Sequence, residues 1–125
     1  MAKKIYGLVG KNISYSFSKK YFTERFVNTD AEDCVYENFD LETIEDFPKL
    51  IKDNPELVGL NVTIPYKETI IPFLDSLSRK ATQIGAVNVI RFTENGKLKG
   101  YNSDWHGFKK ALEPLLQPHH QRALI

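Results

Sequence analysis

The sequence is poor in several features that would indicate particular kinds of protein. A single cysteine, Cys34, excludes an internal disulfide, and 17 basic against 16 acidic residues give no surplus of positive charge for binding nucleic acid. No apolar run approaches the ~18–20 residues of a membrane-spanning helix. Residues 1–7 also lack the long apolar segment of a secretory signal. We therefore expect one soluble, cytoplasmic globular domain with a single core, because 125 residues that are 42% hydrophobic suffice for that.

Two kinds of binding motif are also missing. His106, His119 and His120 have no spacing with cysteines or carboxylates that is typical of a metal site, so we expect none. The sequence contains no Gly-x-Gly-x-x-Gly, the fingerprint of a dinucleotide-binding turn. We therefore expect no cofactor-binding residues in this chain.

Short apolar runs alternate with segments of helical period. The spacing of apolar residues predicts strands over 4–10, 34–39, 57–64, 86–93 and 97–102. It predicts helices over 18–28 and 42–52, a helical run over 66–84 that is broken by Pro72, and a last helix that ends at Leu112. Ser16 or Ser18 can cap the first of these helices, and Ser103 or Asp104 the last.

The order strand–helix–strand–helix–strand predicts an α/β domain of three layers, with a mostly parallel sheet and helices on both faces. Asn95-Gly96 between two strand-like runs is a strong hairpin signal, so one strand must be antiparallel and the sheet mixed. If Asn95-Gly96 is a two-residue turn, Glu94 faces Lys97 and Asn88 lies opposite Ser103.

Polar clusters follow the predicted strands at the sheet edge where α/β proteins bind ligands. Residues 10–18 contain closely spaced hydroxyls near a helix start, which can hold a carboxylate or a phosphate but are equally ordinary turn and cap residues. Asn61 and Thr63 share one face of the third strand and need polar partners if they are buried.

A second set of polar residues converges on the same edge. Lys67 follows the third strand, and the hairpin brings Asn88 beside Asp104. The ordinary alternatives are a surface lysine, a local turn bond of Asn88, and an N-cap role for Asp104. Since all these segments end at one edge, we expect Lys67, Asn88 and Asp104 to meet in one cleft.

Four motifs in this order resemble the substrate-binding domain of the shikimate dehydrogenase family. Residues 61–67, Asn-Val-Thr-Ile-Pro-Tyr-Lys, are similar to the family's Asn-Val-Thr-(Val/Ile)-Pro-(Phe/Tyr)-Lys, and residues 85–88 to its Gly-Ala-Val-Asn. Asn102-Ser103-Asp104, followed by Gly107, resembles Asn-Thr-Asp-x-x-Gly, and residues 13–18 resemble the family's serine loop.

The resemblance implies a fold and a reaction. The fold is an α/β domain with a mixed six-stranded sheet, as in the N-terminal domains of amino-acid-dehydrogenase-like proteins, joined to a Rossmann domain. The reaction is the reversible, NADP-linked reduction of 3-dehydroshikimate to shikimate on the route to chorismate and the aromatic amino acids.

The resemblance also implies residue roles and boundaries. Ser16 and Ser18 would hold the substrate carboxylate, Thr63, Asn88 and Asp104 would bond its ring hydroxyls, and Lys67 and Asp104 would be the catalytic pair. Residues 1–116 would form the shikimate-binding catalytic domain. Residues 117–125 would be a linker and the first residues of a missing NADP-binding domain, without which the chain would be inactive. Ala123-Leu124-Ile125 would then begin that domain's first strand.

Two other functions are compatible with the sequence. One is a quinate/shikimate dehydrogenase that uses NAD and accepts a wider range of substrates. The other is a non-catalytic α/β binding module, which a Lys67 lying far from Asp104 would favour. The sequence leaves open which of Lys67 and Asp104 transfers the proton, and it does not indicate the oligomeric state.

Overall fold

The computed structural model describes residues 3–124 and is built around one mixed sheet. Met1, Ala2 and Ile125 lie outside the described residues. Met1 and Ala2 are the first two residues of the segment considered above for a secretory signal. The strands are β1 Lys4–Gly10, β2 Cys34–Asp40, β3 Leu57–Val62, β4 Ser76–Leu77, β5 Val89–Phe92 and β6 Leu98–Tyr101. The helices are α1 Ser18–Asn28, α2 Phe47–Asp53, α3 Arg79–Ile84 and α4 Asp104–Leu112, with single 3₁₀ turns at Ile44–Asp46, Ile71–Phe73 and Glu113–Leu115.

The six strands lie in the order β2-β1-β3-β5-β6-β4. β1 pairs in parallel with β2 and β3, and β4 pairs in parallel with β6. β5 is antiparallel to both of its neighbours, β3 and β6. The predicted mixed, mostly parallel six-stranded sheet is therefore confirmed, with its antiparallel strand where the hairpin requires one.

The side chains of β1 alternate between two apolar layers. Leu8 lies in a cluster with Phe22 of α1, on one face of the sheet. Val9 lies in a larger cluster on the opposite face, which includes Phe47 of α2 and Ala81 of α3. Helices on both faces, as predicted, thus follow from the period-2 alternation of a buried strand.

The region predicted as a broken helix over 66–84 is different in the structure. Its only α-helix is α3, and Ser76–Leu77 forms the edge strand β4 instead. The chain pairs with β6 here because Asp75 N donates to Leu98 O at 2.9 Å and Ser78 N donates to Gly100 O at 2.8 Å. A strand of two residues is too short to show period-2 alternation, so the sequence pattern could not reveal it.

The hairpin has one loop residue more than predicted. Thr93 N donates to Lys97 O at 2.8 Å, and Gly96 N donates to Thr93 O at 2.9 Å, so the loop has three residues rather than two. As a result Val89 pairs with Tyr101 and the predicted register is wrong by one position. Gly96 has a φ of 74°, which suits the left-handed residue of a three-residue hairpin loop.

Replacing Gly96 with alanine is expected to lower the free energy of unfolding by about 1–2 kcal/mol, the cost of a left-handed conformation for a residue with a Cβ. No heavy atom lies within 4 Å of the added Cβ, so the effect would be conformational rather than a clash. Urea unfolding of Gly96→Ala measures it, with the exposed neighbour Glu94→Ala as the control. Equal stability of the two variants would contradict the assigned loop.

The C-terminal segment contains neither helix nor strand from residue 116 to residue 124. The strand expected to begin at Ala123 is not formed by Ala123 and Leu124, and its third residue, Ile125, lies outside the described residues. Among residues 3–124, no helix combines the length and the apolar character that crossing a membrane requires.

Candidate functional site

A polar cavity of about 280 Å³ opens at the carboxyl edge of the sheet. This is the edge where β1 and β3 end and where β5 begins, because β5 runs in the opposite direction. All six residues predicted to form the site line the cavity: Ser16, Ser18, Thr63, Lys67, Asn88 and Asp104. Its volume is near the lower end of the range for ligand pockets, which suits a small ligand.

The loop that carries Ser16 and Ser18 is held in place by Asp40 and Ile13. Both oxygens of the Asp40 carboxylate accept backbone hydrogen bonds, from Asn12 N at 2.9 Å and Ile13 N at 3.1 Å. Ile13 is 1% exposed and anchors the loop in the apolar layer. The N-cap position of α1 falls on Phe17 rather than on either predicted serine. The Ser16 hydroxyl nevertheless accepts from Ser18 N at 3.2 Å, so the two serines are held side by side.

The floor of the cavity depends on a close approach between two chain segments. A Cβ on Gly10 would lie 2.6 Å from the side chains of both Ile13 and Thr63. Only glycine therefore allows the serine loop and the end of β3 to come together. Thr63 is tied to the same point, since its N donates to Val9 O at 2.9 Å.

Lys67 and Asn88 are brought together by the backbone. Val87, which is fully buried, donates its N–H to Lys67 O at 2.8 Å. Asn88 O accepts from Val62 N at 2.8 Å, and Asn88 N donates to Tyr101 O at 3.0 Å. Asn88 thus bridges β3 and β6 through its main chain while its side chain faces the cavity.

The three residues expected to meet are joined through the carboxylate of Asp104. Lys67 Nζ lies 2.6 Å from Asp104 Oδ2. Asn88 Nδ2 donates to the other carboxylate oxygen, Asp104 Oδ1, at 3.0 Å. The Lys67 and Asp104 side chains are 34% and 53% exposed, so water screens the pair and its role is positional more than stabilising.

Asn88 also closes a reciprocal pair of hydrogen bonds with Ser103. Its Nδ2 donates to Ser103 Oγ at 3.0 Å, and its Oδ1 accepts from Ser103 N at 2.8 Å. The predicted proximity of Asn88 and Ser103 is therefore real although the strand register is shifted. The side-chain amide reaches across the one-residue offset.

The start of α4 is capped by Asn102 rather than by Ser103 or Asp104, the two predicted caps. Ser103 occupies the N-cap position but makes no side-chain cap, and Asp104 is the first helical residue. Asn102 is 8% exposed and uses both ends of its amide. Its Oδ1 accepts from Trp105 N at 3.2 Å, and its Nδ2 donates to Ala86 O at 3.0 Å. This bond joins the two segments that carry Asn88 and Asp104.

Three residues that support the site were not predicted to belong to it: Asp40, Asn61 and Asn102. Asn61 lines the cavity, and its Oδ1 accepts from the Tyr36 hydroxyl at 2.9 Å. Its position as a polar residue in an apolar strand was a usable signal. The position of Asp40 at the carboxyl end of its strand was a second usable signal.

Burial raises the pKa of Tyr36 to about 12, against a smaller opposing effect of the Ser18 hydroxyl. The phenol is therefore a protonated donor at neutral pH.

A larger cavity of about 570 Å³ lies over the sheet face beside α1, lined mainly by apolar side chains of β1, β3, β5 and α1. Arg91 is the only ionised side chain on it, so it lacks the convergent polar groups of a catalytic site. Among residues 3–124, no group of three or more His, Cys, Asp or Glu side chains is arranged to hold a metal ion. The polar cavity is therefore the candidate site.

Comparisons with known proteins point to one family. Residues 8–90 match the family model described as the shikimate dehydrogenase substrate binding domain. A shikimate dehydrogenase (NADP(+)) of Chlorobaculum tepidum is 42% identical over 118 residues, which are 93% of this chain and 39% of that protein. The chain spans about two fifths of the length of the curated relatives it matches.

Solved structures agree in fold. The crystal structure of shikimate dehydrogenase from Aquifex aeolicus superposes with a TM-score of 0.79 and 38% identity, covering 91% of this chain and 42% of that one. The Thermus thermophilus enzyme, solved in complex with NADP(H) and shikimate, gives a TM-score of 0.78 and 31% identity, with 89% and 42% covered.

Proposed function

The chain belongs to the family of shikimate dehydrogenase substrate-binding domains, and from this premise we propose that it binds shikimate and 3-dehydroshikimate as the substrate half of an NADP-dependent shikimate dehydrogenase. The observation that carries the proposal is the contact of Lys67 with Asp104, and of Asp104 with Asn88, on one side of a polar cavity. The hydroxyl-bearing residues Ser16 and Ser18 line the same cavity.

The cavity suits a small ring that bears hydroxyls and one carboxylate. Hydroxyl donors such as Ser16 and Ser18 can bond a carboxylate, which only accepts. Thr63, Asn88 and Asp104 offer both donors and acceptors for ring hydroxyls. A non-catalytic module is disfavoured, since such a module would have no need to keep an ammonium and a carboxylate group in contact at 2.6 Å.

Lys67 and Asp104 supply the acid–base chemistry in this proposal. Reduction of a ketone leaves negative charge on its oxygen, and a positioned ammonium group can stabilise that charge and deliver a proton. Asp104 holds the ammonium at 2.6 Å, while Asn88 fixes the opposite carboxylate oxygen. In the oxidative direction, the same pair receives the proton.

Among the described residues 3–124, the turn after β1 lacks the glycine-rich form that holds the pyrophosphate of NADP. A dinucleotide pyrophosphate is held by a glycine-rich turn between a strand and a helix, and the turn after β1 instead carries Lys11 and the serine loop. We therefore assign NADP to a nucleotide-binding domain that residues 117–125 would lead into, with residues 1–116 as the substrate domain.

We also assign the protein to the cytoplasm, where an unpaired cysteine such as Cys34 is ordinary.

Titration of the chain with shikimate is expected to give saturable amide shifts confined to the cavity, since hydrogen bonds within the protein hold the lining residues Ser16, Ser18, Asn88 and Asp104 in position. Two-dimensional NMR measures this, with the largest shifts at Ser16, Ser18, Thr63, Asn88 and Asp104. Asp104→Asn is expected to weaken binding about tenfold, because a hydrogen bond to a charged group is lost.

The matched control is Glu94→Gln, which removes a carboxylate in the exposed hairpin loop and should leave the affinity unchanged. Shifts scattered away from the cavity, or the absence of any shift at saturating shikimate, would contradict the proposed function. The same titration with quinate tests how strictly the cavity selects its ring.

A further inference from the structure

The loop that carries Ser16 and Ser18 begins with a turn that is closed by a side chain from another strand. Asn12 has a φ of 56°, in the left-handed region that few residues with a Cβ adopt. Asn12 N donates to Asp40 Oδ1 at 2.9 Å, and Ile13 N donates to Asp40 Oδ2 at 3.1 Å. Successive N–H groups beside a left-handed residue form a concave site for an anion, and Asp40 supplies that anion from within the chain.

A series of hydrogen bonds connects this turn to the two serines. Asp40 holds the N–H of Ile13, and Ile13 O accepts from Ser16 N at 2.9 Å. Ser16 Oγ then accepts from Ser18 N at 3.2 Å, at the first residue of α1. The side chain of Ile13 is buried, which anchors the middle of the series in the apolar layer. The Asp40 carboxylate is therefore linked to both serines, although Asp40 lies outside the cavity that they line.

Both oxygens of Asp40 are in use, so a residue with a single acceptor atom cannot replace it fully. A carboxylate accepts at each oxygen and has no proton of its own. A carboxamide at position 40 would accept at one oxygen and turn its own N–H groups toward the second backbone donor. One of the two hydrogen bonds that hold the left-handed turn at Asn12 would then be lost. The direction in which the loop leaves β1 therefore depends on the carboxylate of Asp40.

We propose that Asp40 is a positioning residue that sets the affinity of the cavity for a carboxylate, by fixing the turn that places Ser16 and Ser18. The inference rests on the proposed function, which supplies the ligand and assigns its carboxylate to the two serines. Hydroxyl groups that are already in position bind without the cost of ordering a loop, and this advantage is lost when the loop can move. Lys67 and Asp104 lie on other segments, so the effect of Asp40 is confined to the carboxylate end of the ligand.

The test compares shikimate with its uncharged methyl ester. Asp40→Asn is expected to raise the dissociation constant for shikimate about fivefold, measured by NMR titration, and that for the ester by less than about twofold. In a Ser16→Ala background, Asp40→Asn should cause little further loss, because the series of hydrogen bonds passes through Ser16. When the domain is joined to a nucleotide-binding domain that holds NADP, KM for shikimate should rise in Asp40→Asn while kcat changes little.

The matched control is Asp46→Asn. Asp46 is an exposed carboxylate that lines the same shallow depression as Asp40, and it makes no side-chain cap at the start of α2. The control separates the loss of negative charge from the loss of the two hydrogen bonds, and it should weaken the binding of neither ligand.

The possible failures point to different errors. Equal losses for shikimate and its ester, an unchanged affinity for shikimate, or an additive loss in the Ser16→Ala background would show that Asp40 does not act through the serines and would overturn the inference. Loss of the native amide spectrum in Asp40→Asn would overturn it too, because Asp40 would then support the fold as a whole. A wild-type chain that binds neither ligand would instead contradict the proposed function itself.

Discussion

Replacing Lys67 with alanine is expected to lower kcat about 10²- to 10⁴-fold while KM for shikimate changes little. The ammonium group contacts Asp104 at 2.6 Å at the cavity wall, where it can exchange a proton with the reacting oxygen. The ring and carboxylate contacts proposed for Thr63 and the serines do not involve Lys67, so ground-state binding is expected to be kept. The assay uses this domain joined to a nucleotide-binding domain that holds NADP, and follows NADPH absorbance.

The control is Lys97→Ala, which removes an exposed lysine that flanks the hairpin loop and should leave kcat unchanged. Asp104→Asn, assayed in parallel, separates the two candidates for proton transfer. A larger loss of kcat in Lys67→Ala than in Asp104→Asn identifies Lys67 as the transferring group, and the reverse order identifies Asp104. Turnover near wild type in Lys67→Ala would exclude Lys67 as the acid–base group.

Replacing Asn102 with alanine is expected to lower the free energy of unfolding by about 1.5–5 kcal/mol, as the sum of two losses. The amide of Trp105 loses its cap, which costs about 0.5–2 kcal/mol, and Ala86 O loses its donor, which costs about 1–3 kcal/mol when no water replaces it. The two hydrogen bonds of Asn102 join the start of α4, which carries Asp104, to the segment that carries Asn88. Shikimate binding should therefore weaken as well. Urea unfolding and NMR titration of the folded variant measure the two effects.

Asn54 offers a matched comparison. Its Nδ2 donates to Leu50 O at 2.8 Å near the end of α2, a helix outside the cavity. Asn54→Ala should destabilise the protein by about 1 kcal/mol and leave shikimate affinity unchanged. If Asn102→Ala also left shikimate affinity unchanged, the proposed link between the Asn102 hydrogen bonds and the site would be wrong.

The sequence predicted best where the signal is local. β1 and α1 have the predicted bounds, because a buried strand and an amphipathic helix each leave a period in a few consecutive residues. It predicted worst where long-range pairing overrides the local pattern. Ser76–Leu77 is a strand only because β6 pairs with it, and Thr93 closes the hairpin because Lys97 N donates to its side chain at 3.1 Å.

The candidate site shows the same division. The grouping of Lys67, Asn88 and Asp104 could be predicted, since every segment that carries them ends at one edge of an α/β sheet. The residues that hold the site in place were harder to find. Asn102 and Tyr36 act through partners 16 and 25 positions away along the chain, and no periodic pattern links such positions.

The order of five of the six strands, the mixed sheet and the set of polar residues at its edge were thus determined by the amino-acid sequence alone, because apolar period and turn chemistry act over short stretches of chain. Tertiary structure decided the hairpin register, the sixth strand and the hydrogen bonds that aim the polar groups at one another. Those depend on which distant backbone and side-chain groups satisfy each other once the core has formed, and a buried donor or acceptor cannot remain unpaired without cost.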